Sequence, residues 1–320
     1  MLATAGLGGL LFAAPAAVPT MVPASLRAAA FVLLGALAGL AASPVSSAVR
    51  ALYARLLDTD RLRSAAYSLD AVSLELVFLV GPAVVAVFIT LGVGPRAALV
   101  AAGALAFAGT AAFAAAAGGL LAPVPKAERG GADGGVSGMW LVVAATLPLA
   151  LSWGTVEVAV SAAAVTSGRP AAAGPLLGLW VAGGIVGGLA FGARSWPGSP
   201  GRQAVVLFAL VGLATLVLPL AASLVVLGVG LFVAGLPGSP ASAAAANLIA
   251  ARVPAQRHGE AYGWFGATYN VGVGLGYVTG GSGVEAVGSA ATFAVGGAFA
   301  IAAAVLLLPA WRREVACATG

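Results

Sequence analysis

The sequence predicts an all-α, polytopic membrane protein with ten transmembrane helices in a two-bundle arrangement. Three observations carry this. Stretches of about 18 to 25 apolar residues recur ten times, and a helix needs about 20 such residues to cross the ~30 Å hydrocarbon core. The composition is 61% hydrophobic and 8% charged, where a soluble domain of this length carries about a quarter charged residues. Finally, the positive charges fall in alternate gaps between the apolar stretches.

The elements follow in order, with ends uncertain by a few residues. The first span, 2–18, has small residues around 14–17 that resemble a cleavage site, but it lacks a positive n-region and is expected to be retained rather than removed as a signal. The second, 28–48, runs into a basic loop. The third, 70–93, opens on Asp70, and the fourth spans 97–121. Residues 121–138, LAPVPKAERGGADGGVSG, are polar and rich in Gly and Pro, and read as a flexible linker. They divide the chain into 1–120, with four spans, and 139–320, with six: 139–165, 173–193, 204–221, 225–249, 261–280 and 290–308.

Net charge is +5, and its placement sets the expected topology. With Met1 in the cytoplasm, Arg50, Arg55, Arg61, Arg63, Lys126, Arg129, Arg194, Arg202, Arg252, Arg257, Arg312 and Arg313 lie inside, against Arg27, Arg96 and Arg169 outside. Retained cytoplasmic loops collect Lys and Arg, so both termini are expected in the cytoplasm of a multi-pass cell-membrane protein. The lipid bilayer accounts for the basic loops without a nucleic-acid partner. The single Cys317 allows no disulfide framework within one chain.

Weak internal similarity relates the two parts. Ser43-Pro44-Val45-Ser46 matches Ser239-Pro240-Ala241-Ser242, Ala66-Tyr67 matches Ala261-Tyr262, and Gly81 matches Gly276. On that register the first four spans correspond to the last four, leaving 139–193 without a counterpart. A six-plus-six protein is then expected to lack its first two helices, about 65 residues.

Several segments resemble the major facilitator superfamily, over essentially the whole chain. They are PVSSAVR leading out of the second span and ELVFLVGP in the third, whose Gly81-Pro82 looks like the family's antiporter motif. AGPLLGLWVAGGIVGGLAFGARSW and EAYGWFGATYNVGVGLG look like the eighth and eleventh helices of bacterial efflux-type members. The loop 192–202 keeps glycines and arginines but lacks the family's Asp. The resemblance implies alternating access between two six-helix bundles and favours export of drugs or sugars.

Ionisable side chains within spans are costly to bury and are candidates for function. Asp70 either caps the third span's first turn or pairs with Arg50 as part of an inner gate; Arg50 is otherwise a cytoplasmic anchor. Glu75 shares a heptad stripe with Ser68 and Pro82. A carboxylate in low dielectric is costly to keep charged and can exchange a proton as access alternates; alternatively, Glu75 makes an interhelical hydrogen bond. Thr146, Trp153, Glu157 and Ser161 fall on one face of the fifth span, either as a cavity wall suited to a cationic or amphipathic solute or as a polar packing seam. Asn270 occupies the repeat position of Glu75. Gly81 and Pro82 are expected to bend the third span. Glycines at four-residue spacing, Gly184, Gly188 and Gly192 and again Gly272, Gly276 and Gly280, favour close helix approach. His258 is expected in an exposed loop.

No metal-ligand cluster, dinucleotide fingerprint or phosphate-binding loop is present in the sequence, so no cofactor is expected. No Ser–His or paired-acid set argues for an enzyme. The leading expectation is a monomeric secondary transporter of a small organic solute, proton-coupled and exporting. The alternative is a truncated or degenerate non-transporting relative.

Overall fold

The chain is described by a computed structural model that covers residues 45–92, 95–117 and 133–319 continuously, with the 3-10 turn Ala24–Leu26 and isolated positions before 45. The first two predicted spans and most of the linker lie outside the described residues. Among the described residues, regular structure is entirely helical.

The helices are α1 (Val45–Leu56), α2 (Asp60–Thr90), α3 (Pro95–Ala117), α4 (Asp133–Thr166), α5 (Ala173–Ala193), α6 (Pro200–Val217), α7 (Leu224–Gly235), α8 (Gly238–Arg252) and α9 (His258–Thr319). Their starts follow from local chemistry. The Leu62 amide donates to Thr59 Oγ1 at 3.3 Å at the head of α2. Ser199 accepts from the Arg202 amide ahead of Pro200 in α6, and Ser223 accepts from the Val226 amide in α7. A hydroxyl at the cap satisfies one of the amides that a helix start leaves without a partner.

Three boundaries differ from the sequence expectation. The third span begins at Asp60 rather than Asp70, because Thr59 supplies the cap. Asp70 is therefore interior to a helix, and its capping role is excluded. The eighth span is two helices, α7 and α8, interrupted at Leu236 and Pro237. The ninth and tenth fall within α9, which breaks at Gly288, with φ 80° and ψ 168°.

That break reverses the chain. In a continuous helix residues 283 and 292 would stand about 13.5 Å apart, yet a Cβ on Gly283 would lie 3.1 Å from Thr292 Oγ1. The left-handed φ at this corner is one that glycine adopts without the penalty of a Cβ. The arms 258–287 and 289–319 both pack on α4: Gly280 faces Thr155 and Val158, and Gly296 faces Ser152 and Val156.

Seven described segments are long and apolar enough to cross a membrane, and they take in the third to tenth predicted spans, the last segment, Ala255–Arg312, covering two. Many large apolar side chains are exposed, Leu105 at 71% and Leu220 at 79% among them. On a water-soluble monomer such a surface would be an aggregation liability; facing hydrocarbon it is matched to its solvent.

The described chain divides into two compact units. One comprises Phe78–Val124 with the chain before Arg50; the other comprises Arg50–Val77 and Pro125–Gly320. In the second unit the core is centred on α8, whose Ala241, Ala243, Ala244 and Ala245 are buried with Leu248 and Ile249 against Phe208, Tyr262 and Leu307. Small side chains let neighbouring backbones approach, which is how helices gain packing when lipid offers no hydrophobic drive.

Candidate functional site

The candidate residues of the second unit converge on three adjoining places. The first is a close contact between α2 and α5. Ser68, Val72 and Glu75 recur every three or four residues and so share one face of α2. They lie against Gly192, Gly188 and Gly184 of α5. A Cβ on Gly192 would come within 2.9 Å of Ser68 Cβ, on Gly188 within 2.5 Å of Val72 Cγ2, and on Gly184 within 2.7 Å of Glu75 Oε1. The predicted glycine stripe is thus the surface that admits α2. At its far end the carboxylate of Glu75 accepts a hydrogen bond from Ser239 Oγ of α8 at 3.0 Å. The hydroxyl of Ser68 is buried without a hydrogen-bond partner.

Toward the start of α2 lies a polar cluster. Arg50 Nε donates to Asp70 Oδ2 at 2.7 Å, with the side chains only 12% and 17% exposed. The Arg50 guanidinium also sits 5.2 Å from the ring centre of Phe265, within cation–π range. Tyr67 and Tyr262 are both fully buried, with hydroxyl oxygens 2.6 Å apart. Each hydroxyl also lies within reach of a backbone carbonyl, Tyr67 of Arg50 at 3.3 Å and Tyr262 of Ala246 at 3.0 Å, so that one donates to its carbonyl and the other to its partner tyrosine. Asn247 Nδ2 donates to Ser64 Oγ at 3.2 Å nearby.

His258 corrects its sequence expectation. It is 5% exposed, donates from Nε2 to the Val253 carbonyl at 2.7 Å, and leaves Nδ1 buried without a partner. It is the first residue of α9 rather than part of a loop, and its ring reaches back to Val253, which closes α8.

The third place is where α4 crosses the first arm of α9. A Cβ on Gly154 would lie 2.3 Å from the Val273 carbonyl oxygen, so here backbone meets backbone. Thr155 Oγ1 donates to the Gly276 carbonyl at 3.3 Å and lies 3.0 Å from Thr279 Oγ1. Beside this crossing Tyr277 donates to Glu157 Oε2 at 2.6 Å. One turn away Trp153 and Tyr269 meet edge to face, ring centres 5.3 Å apart.

The predicted stripe on α4 divides. Trp153 and Glu157 are half-buried and engage side chains of α9. Thr146 is buried and donates to its own Val142 carbonyl, and Ser161 donates to the Glu157 carbonyl. Both bonds are local to the helix, so these two hydroxyls are not joined to the group around Glu157. Asn270 is exposed and donates to Gly266 within its helix. Gly81 and Pro82 lie in the other compact unit, where α2 continues helical through both.

Tyr269 and Tyr277 were missed by a sequence reading that searched for charges. Tyr269 stands against Trp153, and with Tyr262 and Tyr277 it lies on the first arm of α9. A signal existed: the five tyrosines of the chain are 53, 67, 262, 269 and 277, and 262 and 269 are separated by one heptad, hence lie on one face. Tyr53 completes the series, its ring 6.0 Å from that of Tyr67.

No family model matches the sequence, and no curated protein matches it. Among solved structures, the chain is similar to the crystal structure of the human organic anion transporter MFSD10 (TETRAN), with a TM-score of 0.73 and 17% identity over 95% of this chain and 76% of that one. The likeness shows the fold alone: the chain is folded as that protein is.

Proposed function

We propose that the protein is a secondary membrane transporter rather than an enzyme, moving a small organic solute by alternating access between 1–120 and 139–320, with proton coupling through Glu75 and export as its direction. The observation that carries this is the position of Glu75. It is a carboxylate in a membrane-length helix, held by the neutral hydroxyl of Ser239 at the end of the glycine-lined contact between α2 and α5. Ionisable groups so placed mark ion or substrate pathways.

The chemistry follows from hydrogen-bond strength. Ser239 donates most strongly to a charged carboxylate, since a charge-assisted bond is roughly twice as strong as a neutral one. Protonation of Glu75 weakens that tie and removes a charge from the contact. The links from residues 50–77 to the C-terminal helices, Tyr67 to Tyr262 and Asn247 to Ser64, then part together as access alternates. With the basic loops in the cytoplasm, these links close the cytoplasmic side.

The test uses the full chain in liposomes with an imposed pH gradient and a panel of labelled drugs and sugars. Gradient-driven accumulation of at least one solute is expected, falling about tenfold or more in Glu75→Gln, while solute exchange without a gradient persists. Exchange needs no net proton movement, so its survival separates coupling from folding. Absence of flux and exchange for every solute would instead favour a non-transporting relative of the same fold.

A further inference from the structure

We propose that His258 is a proton-operated joint: its neutral ring ties the start of α9 to the end of α8, and a second proton on the ring releases that tie and loosens the tyrosine pair behind it. The joint is argued from hydrogen bonding alone; only its effect on flux rests on the transport reading above.

The sequence holds a single histidine, which opens α9 directly after the short turn Ala255–Arg257. That turn brings the ring back to the carbonyls that end α8. Nε2 donates to the cap residue Val253 at 2.7 Å, and the Ala250 carbonyl also acts on the ring. A carbonyl oxygen can only accept, so Nε2 carries the proton and Nδ1 presents a bare lone pair. His258 is 5% exposed, and Nδ1 has no hydrogen-bond partner. Buried polar atoms are ordinarily paired, so this nitrogen stands out.

A second proton has no place in that arrangement. An N–H at Nδ1 would be buried without an acceptor, and it would carry a charge. The surrounding groups do not compensate for it. From α2 the charge that acts on the ring is Arg63, of like sign. On the histidine's own helix the carboxylate of Glu260 is engaged by Arg257, and Arg252 of α8 donates to the Ala310 carbonyl. The remaining titratable neighbour is the phenol of Tyr262, with ring centres 6.0 Å apart, and behind it Tyr67. The carbonyls ending α8 favour a cation, but Val253 is already satisfied by the neutral ring. The proton is therefore taken up with the ring turned out toward water.

The consequence reaches the tyrosines. Residues 258 and 262 are one turn apart on the same face of α9, and Tyr262 is fully buried with its hydroxyl 2.6 Å from that of Tyr67 on α2. When the His258 ring leaves, Tyr262 loses a side chain packed beside it and α8 loses its tie to α9. The sign follows from proton counting: the closed joint binds one proton fewer than the opened one. Closure is thus complete above the usual histidine pKa of about 6.5 and is lost as pH falls below it. Acidification on the side of the basic loops then loosens the closure there, a regulation separate from coupling at Glu75.

The experiment uses the full chain in detergent micelles, purified by a tag free of histidine and carrying isotope-labelled histidine, so that NMR sees one imidazole. Amide hydrogen exchange of residues 253–262 is followed in parallel at about pH 7.5 and about pH 5.5, one unit either side of the usual histidine value, with the intrinsic effect of pH on exchange removed. The neutral form protonated at Nε2 is expected at the higher pH. Exchange is expected to rise about tenfold at the lower, the gain that one unit gives to an opened, protonated form. His258→Gln offers an amide donor to Val253 and takes up no proton, so slow exchange is expected at both values. The wild-type titration needs no variant and decides even where that substitution disturbs folding. A ring that stays neutral at the lower pH, one that takes up its proton without faster exchange, or an equal rise in His258→Gln would overturn the proposal. Opening at low pH in a protein that shows no flux in liposomes would keep the joint and sink the transport reading; flux with a joint indifferent to pH would do the reverse.

Discussion

Residues 60–77 of α2 and residues 255–272 leading into α9 occupy matching places in the internal repeat, and their differences are more informative than their similarity. Tyr67 and Tyr262 are shared, and the hydroxyl of each lies within hydrogen-bonding distance of the carbonyl of a position that the repeat also equates, Arg50 in one case and Ala246 in the other. The two tyrosines then meet at 2.6 Å. Around this shared frame the chemistry diverges. Asp70, which binds Arg50, is matched by Phe265, which lies near the same guanidinium. Glu75, held by Ser239, is matched by Asn270, exposed and bonded within its own helix. The backbone and its tyrosine links are repeated, while charge is confined to one copy.

The comparison can be broken at the charged copy first. Replacing Arg50 with Leu leaves Asp70 unpaired in a mostly buried place and is expected to destabilise the protein by about 3–5 kcal/mol. The double variant with Asp70→Leu should recover most of this, as read from thermal unfolding in detergent. Equal loss in single and double variants would show that the pair contributes no coupling.

A smaller effect distinguishes the two helix contacts. Gly154→Ala drives a Cβ into backbone at 2.3 Å, whereas at Gly192 the nearest atom is the Ser68 Cβ at 2.9 Å. Overpacking of the first kind is expected to cost about 1–3 kcal/mol, and Gly154→Ala should lower the unfolding temperature more than Gly192→Ala. The reverse order would mean that the α4 to α9 crossing can shift freely.

The shared frame is tested by Tyr67→Phe and Tyr262→Phe, each expected to cost about 1 kcal/mol for its lost hydroxyl. Their sum should exceed the cost of the double variant, because both remove the same mutual bond. Strict additivity in a double-mutant cycle would argue against the direct link. Asn270→Ala is expected to have the smallest effect, within about 0.5 kcal/mol, as for an exposed position without special contacts; a larger loss would show that the copy without charge carries its own role.

Membrane character, the helical class and the positions of most described spans were legible in the sequence, because bilayer thickness and backbone satisfaction act on each segment by itself. The glycine stripe at 184, 188 and 192 was legible for the same reason: its four-residue spacing needs only the helix period. The repeat register was visible through Tyr67 and Tyr262, although nothing in the chain order said that the two rings touch. Tertiary structure decided what each polar group meets. It brought Asp70 to Arg50 instead of to a helix start, gave Glu75 a partner 164 residues away in Ser239, joined Glu157 to Tyr277, and turned Thr146 back on its own helix. Periodicity fixes the face on which a side chain lies, but a hydrogen bond is made over about 3 Å between particular atoms, and which helix supplies those atoms is settled only when the helices pack.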